Sequence, residues 1–404
     1  MKHIRHMLAA VFLIPALGQA QSQPITLIVD RVLDGAGGIL EHTNIVVRGS
    51  KIEDIGSTSA GVKYDLSGLT VLPGGIDTHN HVAWHFDADG KTHHASRDEE
   101  SPSQATLYAV ENAYKTLMSG ITTIQSLGSP LDRDLRDWIA RGTIPGPRIV
   151  TSLGAITERT GTPDDIREAV AKFAEQGADV IKIFASASIR NGGKPTMSQA
   201  QLDAACGEAR KHGLRSAVHA HGPESAKRSI LAGCTVIEHG ALLDDATLDL
   251  MAERGTYFDP HIWLVFHNYL ENKEHFLGIG NYTEEGFAYM ERALPSSLDV
   301  FKRALARNIN IVFGTDAVAG AHGRNFEELI YRVQRGGQDP MEAIVSATSL
   351  AARSMDMDDE IGLIAPGMAA DIIAVRGNPA TNITALRRVE FVMKGGKVFL
   401  APHK

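Results

Sequence analysis

Between Pro73 and about residue 364 the chain repeats one pattern, a short apolar run followed by a longer amphipathic stretch. The runs are 76–82, 120–125, 147–151, 179–184, 215–220, 235–239, 256–262 and 309–315. The stretches at 102–118, 131–141, 163–176, 198–212, 223–232, 244–254, 284–307 and 325–335 carry helical spacing. Strands that alternate with helices pair in parallel, because each crossover needs a helix to bring the chain back. Eight such units predict an α/β fold of the (β/α)8 TIM-like barrel type. In that fold the functional side chains lie at the C-terminal ends of the strands.

The run ends carry the candidate chemistry. Gly75-Ile76-Asp77-Thr78-His79-Asn80-His81 places two histidines one residue apart. In an extended strand, residues i and i+2 share a side, so both imidazoles can reach one ion. Alone, such a pair is more often a surface coincidence. Later runs end in a matching way: Lys182 after Val180-Ile181, His219 and His221 around Ala220, His239 after Ile237-Glu238, and Asp316 after Phe313-Gly314-Thr315. Each has an ordinary alternative. The histidines could be hydrogen-bonded core residues, and Asp316 could cap a helix. Lys182 sits in an apolar strand, where a lysine is costly unless paired or modified. That all seven should be structural, and all lie at strand ends, is improbable.

The chain is acidic, with 40 Lys+Arg against 48 Asp+Glu, and this argues against a nucleic-acid partner. Two cysteines, Cys206 and Cys234, do not make a disulfide framework, and the expectation is two separate buried thiols. At the N-terminus, Lys2 and Arg5 precede an apolar run from Met7 to Leu17 and the small-residue stretch Gly18-Gln19-Ala20. This reads as a signal peptide over residues 1–20, cleaved before Gln21. An uncleaved anchor is the alternative, but the run is short for a span. The expected location is periplasmic or secreted, with no stable membrane insertion after processing.

Residues 21–72 and 365–404 have a different style, with short strands between glycine-rich or polar turns. Gly395-Gly396 reads as a hairpin turn. Both chain ends are expected to build one small β-sandwich domain around the inserted barrel of residues 73–364. Residues 261–295 form a long aromatic excursion before the last run, either a helix packed on the barrel or a pocket wall.

Taken together, Leu72-Pro73-Gly74-Gly75 with the His79/His81 pair, Val218-His219-Ala220-His221-Gly222, Ile237-Glu238-His239-Gly240 and Gly314-Thr315-Asp316-Ala317 resemble the amidohydrolase superfamily. Within it the chain is similar to the imidazolonepropionase-like and metal-dependent Xaa-Pro dipeptidase branch. The resemblance spans nearly the whole mature chain and implies two divalent ions, usually Zn²⁺, with manganese and cobalt open. It implies that His79, His81 and Asp316 hold one ion, that His219 and His239 hold the other, and that carboxylated Lys182 bridges them. Asp316 is then also the catalytic proton shuttle, and His221 and His322 are substrate contacts.

The activity so implied is hydrolysis of an amide C–N bond in a dipeptide or N-acyl amino acid, as in Xaa-Pro dipeptidases or ochratoxin-degrading relatives. The partner is a small-molecule amide or peptide, and a homo-oligomer is left open. The alternative is a cyclic-amide hydrolase of imidazolonepropionase type, which Lys182 opposes because that pattern lacks a bridging lysine. A barrel that binds without catalysis is a third reading, opposed by the intact ligand set. Two departures stand out: a short loop after the third run, at 155–161, and Asn80 between the paired histidines.

Overall fold

The computed structural model describes residues 23–93 and 100–402, so the expected leader lies outside the described residues. Both chain ends meet in one eight-stranded sheet. Its N-terminal strands are Ile25–Leu33, Ile39–Arg48, Lys51–Ile55, Val62–Asp65 and Leu69–Pro73, and its C-terminal strands are Ile372–Arg376, Val389–Lys394 and Lys397–Leu400. The two ends are joined where Ile372–Arg376 pairs antiparallel with Leu69–Pro73. Gly395 and Gly396, both with positive φ, make the expected hairpin turn.

All eight strands share one hydrogen-bonded ladder, which forks along Ile25–Leu33. The first half of that strand pairs with Val62–Asp65, while Arg31 and Val32 pair with Thr70 and Val71. One long strand thus serves two neighbours on one edge. Alternation of residues reveals faces, not partners, so the fork was not legible from the pattern.

The inserted unit is parallel α/β. Gly75–Asn80, Ile121–Ser126 and Arg148–Thr151 form one sheet. Ala155–Ile156, Val180–Phe184, Arg215–Ala220, Val236–His239 and Tyr257–Asp259 form another. The third run divides between them at Leu153, where φ is 59°. Across that gap the Asp179 amide donates to Thr151 O at 2.8 Å.

The eighth run is not a regular strand, but its backbone joins the two sheets on the other side. Val312 N donates to Phe258 O and Thr78 N donates to Phe313 O, each at 2.9 Å. Gly314 is required here, because a Cβ at that position would lie 2.0 Å from Asp259 Oδ2.

Helices fall where the spacing places them. Pro163–Glu175 and Gln199–Lys211 start at Thr162 and Ser198, each with a reciprocal capping box. Inside the ring, Ile76, Val150, Val180, Ala217, Val236 and Val312 pack as one apolar layer. Strand alternation then puts Lys182, His219 and Glu238, two residues further along, on the same inner side. The layer is the floor on which the site stands.

The two cysteines are not separate thiols. Cys206 and Cys234 are bonded, with their Cα atoms 5.3 Å apart. Cys206 lies on the helix Gln199–Lys211, and Cys234 follows the next helix, Pro223–Leu231, in the same core cluster. Two cysteines are too few for a framework but enough for one bridge between consecutive helices. Closing a loop with a sequence separation of 28 contributes about 3–4 kcal/mol in the chain-entropy account. Among the described residues, no helix is long and apolar enough to cross a membrane.

Candidate metal centre and substrate cavity

His79 lies under two constraints. Glu238 Oε2 sits 2.7 Å from its Nδ1; burial, then Asp259, pushes the Glu238 carboxyl well above its ordinary pKa, so the pair shares one proton, and with a cation at Nε2 that proton would sit on Nδ1. The lone pair is then on Nε2. That atom faces Asp316 Oδ1 at 3.4 Å and Lys182 Nζ at 3.3 Å. Burial, then the Lys182 charge, holds the His79 imidazole well below its ordinary pKa, in the neutral form that ligates. His81 Nε2 is 3.0 Å from the same Asp316 oxygen.

The second group lies beside the first. The rings of His219 and His239 are 4.5 Å apart, and those of His79 and His239 are 5.3 Å apart. His219 Nε2 approaches Ala187 O at 3.4 Å, which leaves Nδ1 for another role. His239 Nδ1 is 2.8 Å from His261 Nδ1. His261 in turn places Nε2 3.4 Å from Asp259 and 3.6 Å from Glu238. Burial opposes charge on His261, but Asp259 and Glu238 outweigh it and raise its pKa to about 9. At that pKa both His261 nitrogens carry protons and His261 donates to His239 Nδ1; a cation on His239 Nε2 would reverse the bond, with His239 donating through Nδ1 and a neutral His261 accepting.

Two backbone features aim these side chains. His239 and Asp316 both lie in the left-handed region, with φ of 68° and 50°. Such residues are strained and tend to occur where a site demands a direction. In a regular strand Glu238 and His239 would face opposite sides, and the turn at His239 brings both toward the site. Asp77 ties the first and eighth runs together. It accepts from Thr315 Oγ1 at 2.6 Å, Asn325 Nδ2 at 2.7 Å and Thr315 N at 3.0 Å. Asn80 Nδ2 also donates to Asp77, so the departure at residue 80 is turned away from the ligands.

These donors fit a metal. A tetrahedral zinc with bonds of roughly 2.1 Å keeps its ligand atoms roughly 3.4 Å apart. His79 Nε2 and Asp316 Oδ1 stand at that spacing, 3.4 Å apart, and a cation between them would be bound by both. His79, His81 and Asp316 form one group of ligand reach, and His219, His221 and His239 form another. Lys182 is buried beside both, and burial lowers its pKa from 10.5, which favours the neutral amine.

The centre opens into a cavity of about 490 Å³. His79, His81, Lys182, His219, His221, His239 and Asp316 all line it. His322, expected at the mouth, is not in the lining. Its Nε2 donates to Trp84 O at 3.1 Å, so it supports the loop that carries Trp84. Trp84 stacks on His81 at 4.4 Å. The aromatic excursion satisfies both readings. Val265, Phe266, Tyr269, Phe276, Tyr282 and Phe287 pack as a cluster, and its inner edge walls the cavity.

Arg190 was not singled out by sequence and lines the same cavity. Its guanidinium lies over the Tyr282 ring at 4.0 Å, and its Nε donates to Asn281 at 2.9 Å. Burial, then the Arg190 charge, lowers the His221 pKa to about 3. The short loop after the third run adds Arg159 at the mouth, from the turn Glu158–Thr160.

A family model described as the amidohydrolase family matches residues 70–399. The chain belongs to the amidohydrolase family. Among its relatives, the ochratoxinase of Aspergillus niger is 25% identical, over 92% of this chain and 85% of that protein. A crystal structure of a Xaa-Pro dipeptidase with bound methionine superposes with a TM-score of 0.84 at 31% identity, covering 94% of this chain and all of the other. Imidazolonepropionase from Mycolicibacterium smegmatis is 28% identical but matches only 43% of this chain. This amidohydrolase therefore has an α/β, barrel-like fold, shared with the Xaa-Pro dipeptidase over 94% of its length.

Proposed function

We propose that this amidohydrolase is a metal-dependent enzyme that cleaves the amide bond of dipeptides or N-acyl amino acids, at the mouth of a closed (β/α)8 barrel. The observation that carries this is one cavity holding the ligand cluster, the Arg190 guanidinium and an apolar wall. The likeness to a Xaa-Pro dipeptidase and to ochratoxinase supports the same class. His79, His81, Asp316, His219 and His239 would hold two divalent ions, zinc by the donor set, with N-carboxylated Lys182 as a further anionic ligand. When bound, the ions supply Lewis acidity and an acidified water.

The chain's own residues supply the rest. Asp316 takes the proton of the attacking water and returns it to the leaving nitrogen. An amine is a poor leaving group unless protonated, so this second transfer matters for amides. Arg190 grips the free carboxylate of the amino acid, because a guanidinium matches a carboxylate in a two-pronged geometry. His221, neutral, is a further polar contact for substrate. Trp84, Phe266 and Met290 enclose the apolar part. The cyclic-amide alternative has only the partial match to support it, and Lys182 beside His79 stands against it.

A panel of dipeptides and N-acyl amino acids, each as the free acid and as the C-terminal amide, tests this reading. The free acids are expected to react with higher kcat/KM. A charged hydrogen bond is worth about 1.5–3 kcal/mol, so the Arg190→Gln variant should lose about 10- to 100-fold on the free acids and little on the amidated forms. Equal cleavage of both forms, or an equal loss on both, would remove Arg190 as the carboxylate anchor.

The same reading places the enzyme in the periplasm or outside the cell. The leader-like N-terminus supports this, and so does the disulfide, since such bonds persist in oxidising compartments. Mass spectrometry of the exported protein from its host is expected to show a chain that begins at Gln21 with Cys206 and Cys234 bonded. A mature chain that retains Met1 would contradict it.

A further inference from the structure

A second cluster of metal-ligating side chains lies outside the cavity lining. His85, His93 and Glu100 bring one ligand atom each within 4.8 Å of the others. All three are buried, with side-chain exposures of 3%, 7% and 5%. His85 and His93 face each other across a small antiparallel hairpin, His85–Phe86 with Thr92–His93. Glu100 stands just before the N-cap, Ser101, of the helix Pro102–Met118.

The proton inventory of His85 makes the cluster informative. Its Nδ1 lies 2.9 Å from Ala83 O, and a carbonyl can only accept, so Nδ1 is the donor. Ligating histidines usually have this partner, which directs the Nε2 lone pair at the metal. Nε2 here faces both Glu100 oxygens, at 3.1 and 2.9 Å. A lone pair against a carboxylate requires either a second proton or a cation between them. His93 Nδ1 reaches the same Glu100 Oε2 at 3.2 Å. Three donors thus converge on one point. The Glu100 oxygen stands from each nitrogen a few tenths of an ångström inside the roughly 3.4 Å edge of a tetrahedral zinc.

We propose that His85, His93 and Glu100 form a separate site for a divalent transition-metal ion, with water as the fourth ligand. Two imidazoles and one carboxylate suit zinc. The ion is structural. The hairpin has only two residues in each strand, too few to hold itself. A metal cross-link would fasten it to the helix Pro102–Met118. His85 is the neighbour of Trp84, which walls the cavity and stacks on His81. The staple therefore fixes one side of the substrate cavity while sharing no ligand with the main centre. Tyr108, stacked on His85 at 4.2 Å, closes the site from the helix side.

The test uses the whole mature chain, stripped with a chelator and dialysed against zinc. Metal content is counted for the wild type, Glu100→Gln and His93→Ala. Each variant is expected to hold one equivalent less than the wild type. The difference is the readout, so it does not depend on how many ions the main centre holds. The melting temperature of the wild type should rise more with zinc than that of either variant.

Wild-type crystals soaked in zinc give a reading that needs no variant. An anomalous peak within bonding distance of the three donors supports the site. Such a peak with none at His79, His81 and Asp316 would uphold this site and sink the proposed main centre. Peaks only at the main centre, or equal zinc content in all three proteins, would overturn the proposal and leave a proton-bridged histidine–carboxylate cluster.

Discussion

A Lys182→Ala protein is expected to keep its fold, bind less metal and lose about 10³-fold or more in kcat, since ligand-held Lewis acidity is worth several kcal/mol. The reasoning starts from burial. Lys182 is 1% exposed, and its Nζ lies 3.3 Å from His79 Nε2. An ammonium between would-be ligands repels cations. Desolvation lowers its pKa, and a neutral amine has the lone pair that adds to CO₂. The nitrogen bonds to the carbon of CO₂ and releases a proton, and the product is an anion in place of a cation. Metal and activity should then depend on that anion. Formate or acetate added to Lys182→Ala should restore part of both by occupying the vacated space. A variant with full metal content and full rate would show that Lys182 is structural.

An Asp316→Asn protein is expected to keep part of its metal and to fall about 10²-fold or more in kcat, the usual order for a lost acid–base group. Burial works against ionisation of Asp316, but its hydrogen bond with His81 and the neighbouring cationic groups outweigh it. The carboxyl is held below its ordinary pKa and stands ready as an acceptor at neutral pH. Asparagine keeps the size and one acceptor oxygen but cannot take and return a proton. The leaving amine needs that proton, whereas an activated alcohol does not. The loss should therefore be larger on an amide than on the matched ester. Equal losses that track metal content would reduce Asp316 to a ligand.

Much of this site was legible because strand ends converge in a parallel α/β ring. Six run-end residues, His79, His81, Lys182, His219, His239 and Asp316, line one cavity, as does His221. The same rule applied to the seventh run, 256–262, would have found His261 at its end. Alternation faces Glu238 inward with Lys182 and His219, but its neighbour His239 drew the ligand assignment. Only the left-handed backbone at His239 lets both turn inward. Arg190 carried no signal, because its loop meets the excursion 261–295 only in three dimensions. His322 misled, since position after the eighth run does not specify direction, and it is spent on Trp84. The cysteine pairing needed the knowledge that two consecutive helices present those residues to one core.

The central claim is that hydrolysis of an amide here depends on metal held by this cluster. The direct measurement is the rate on an N-acyl amino acid or dipeptide substrate for chelator-stripped protein, before and after zinc is returned, with circular dichroism on the same samples. The account predicts a folded, stripped protein that is slower by about 10²-fold or more and recovers as zinc is added. A stripped, folded protein that cleaves the amide at the undiminished rate would contradict it.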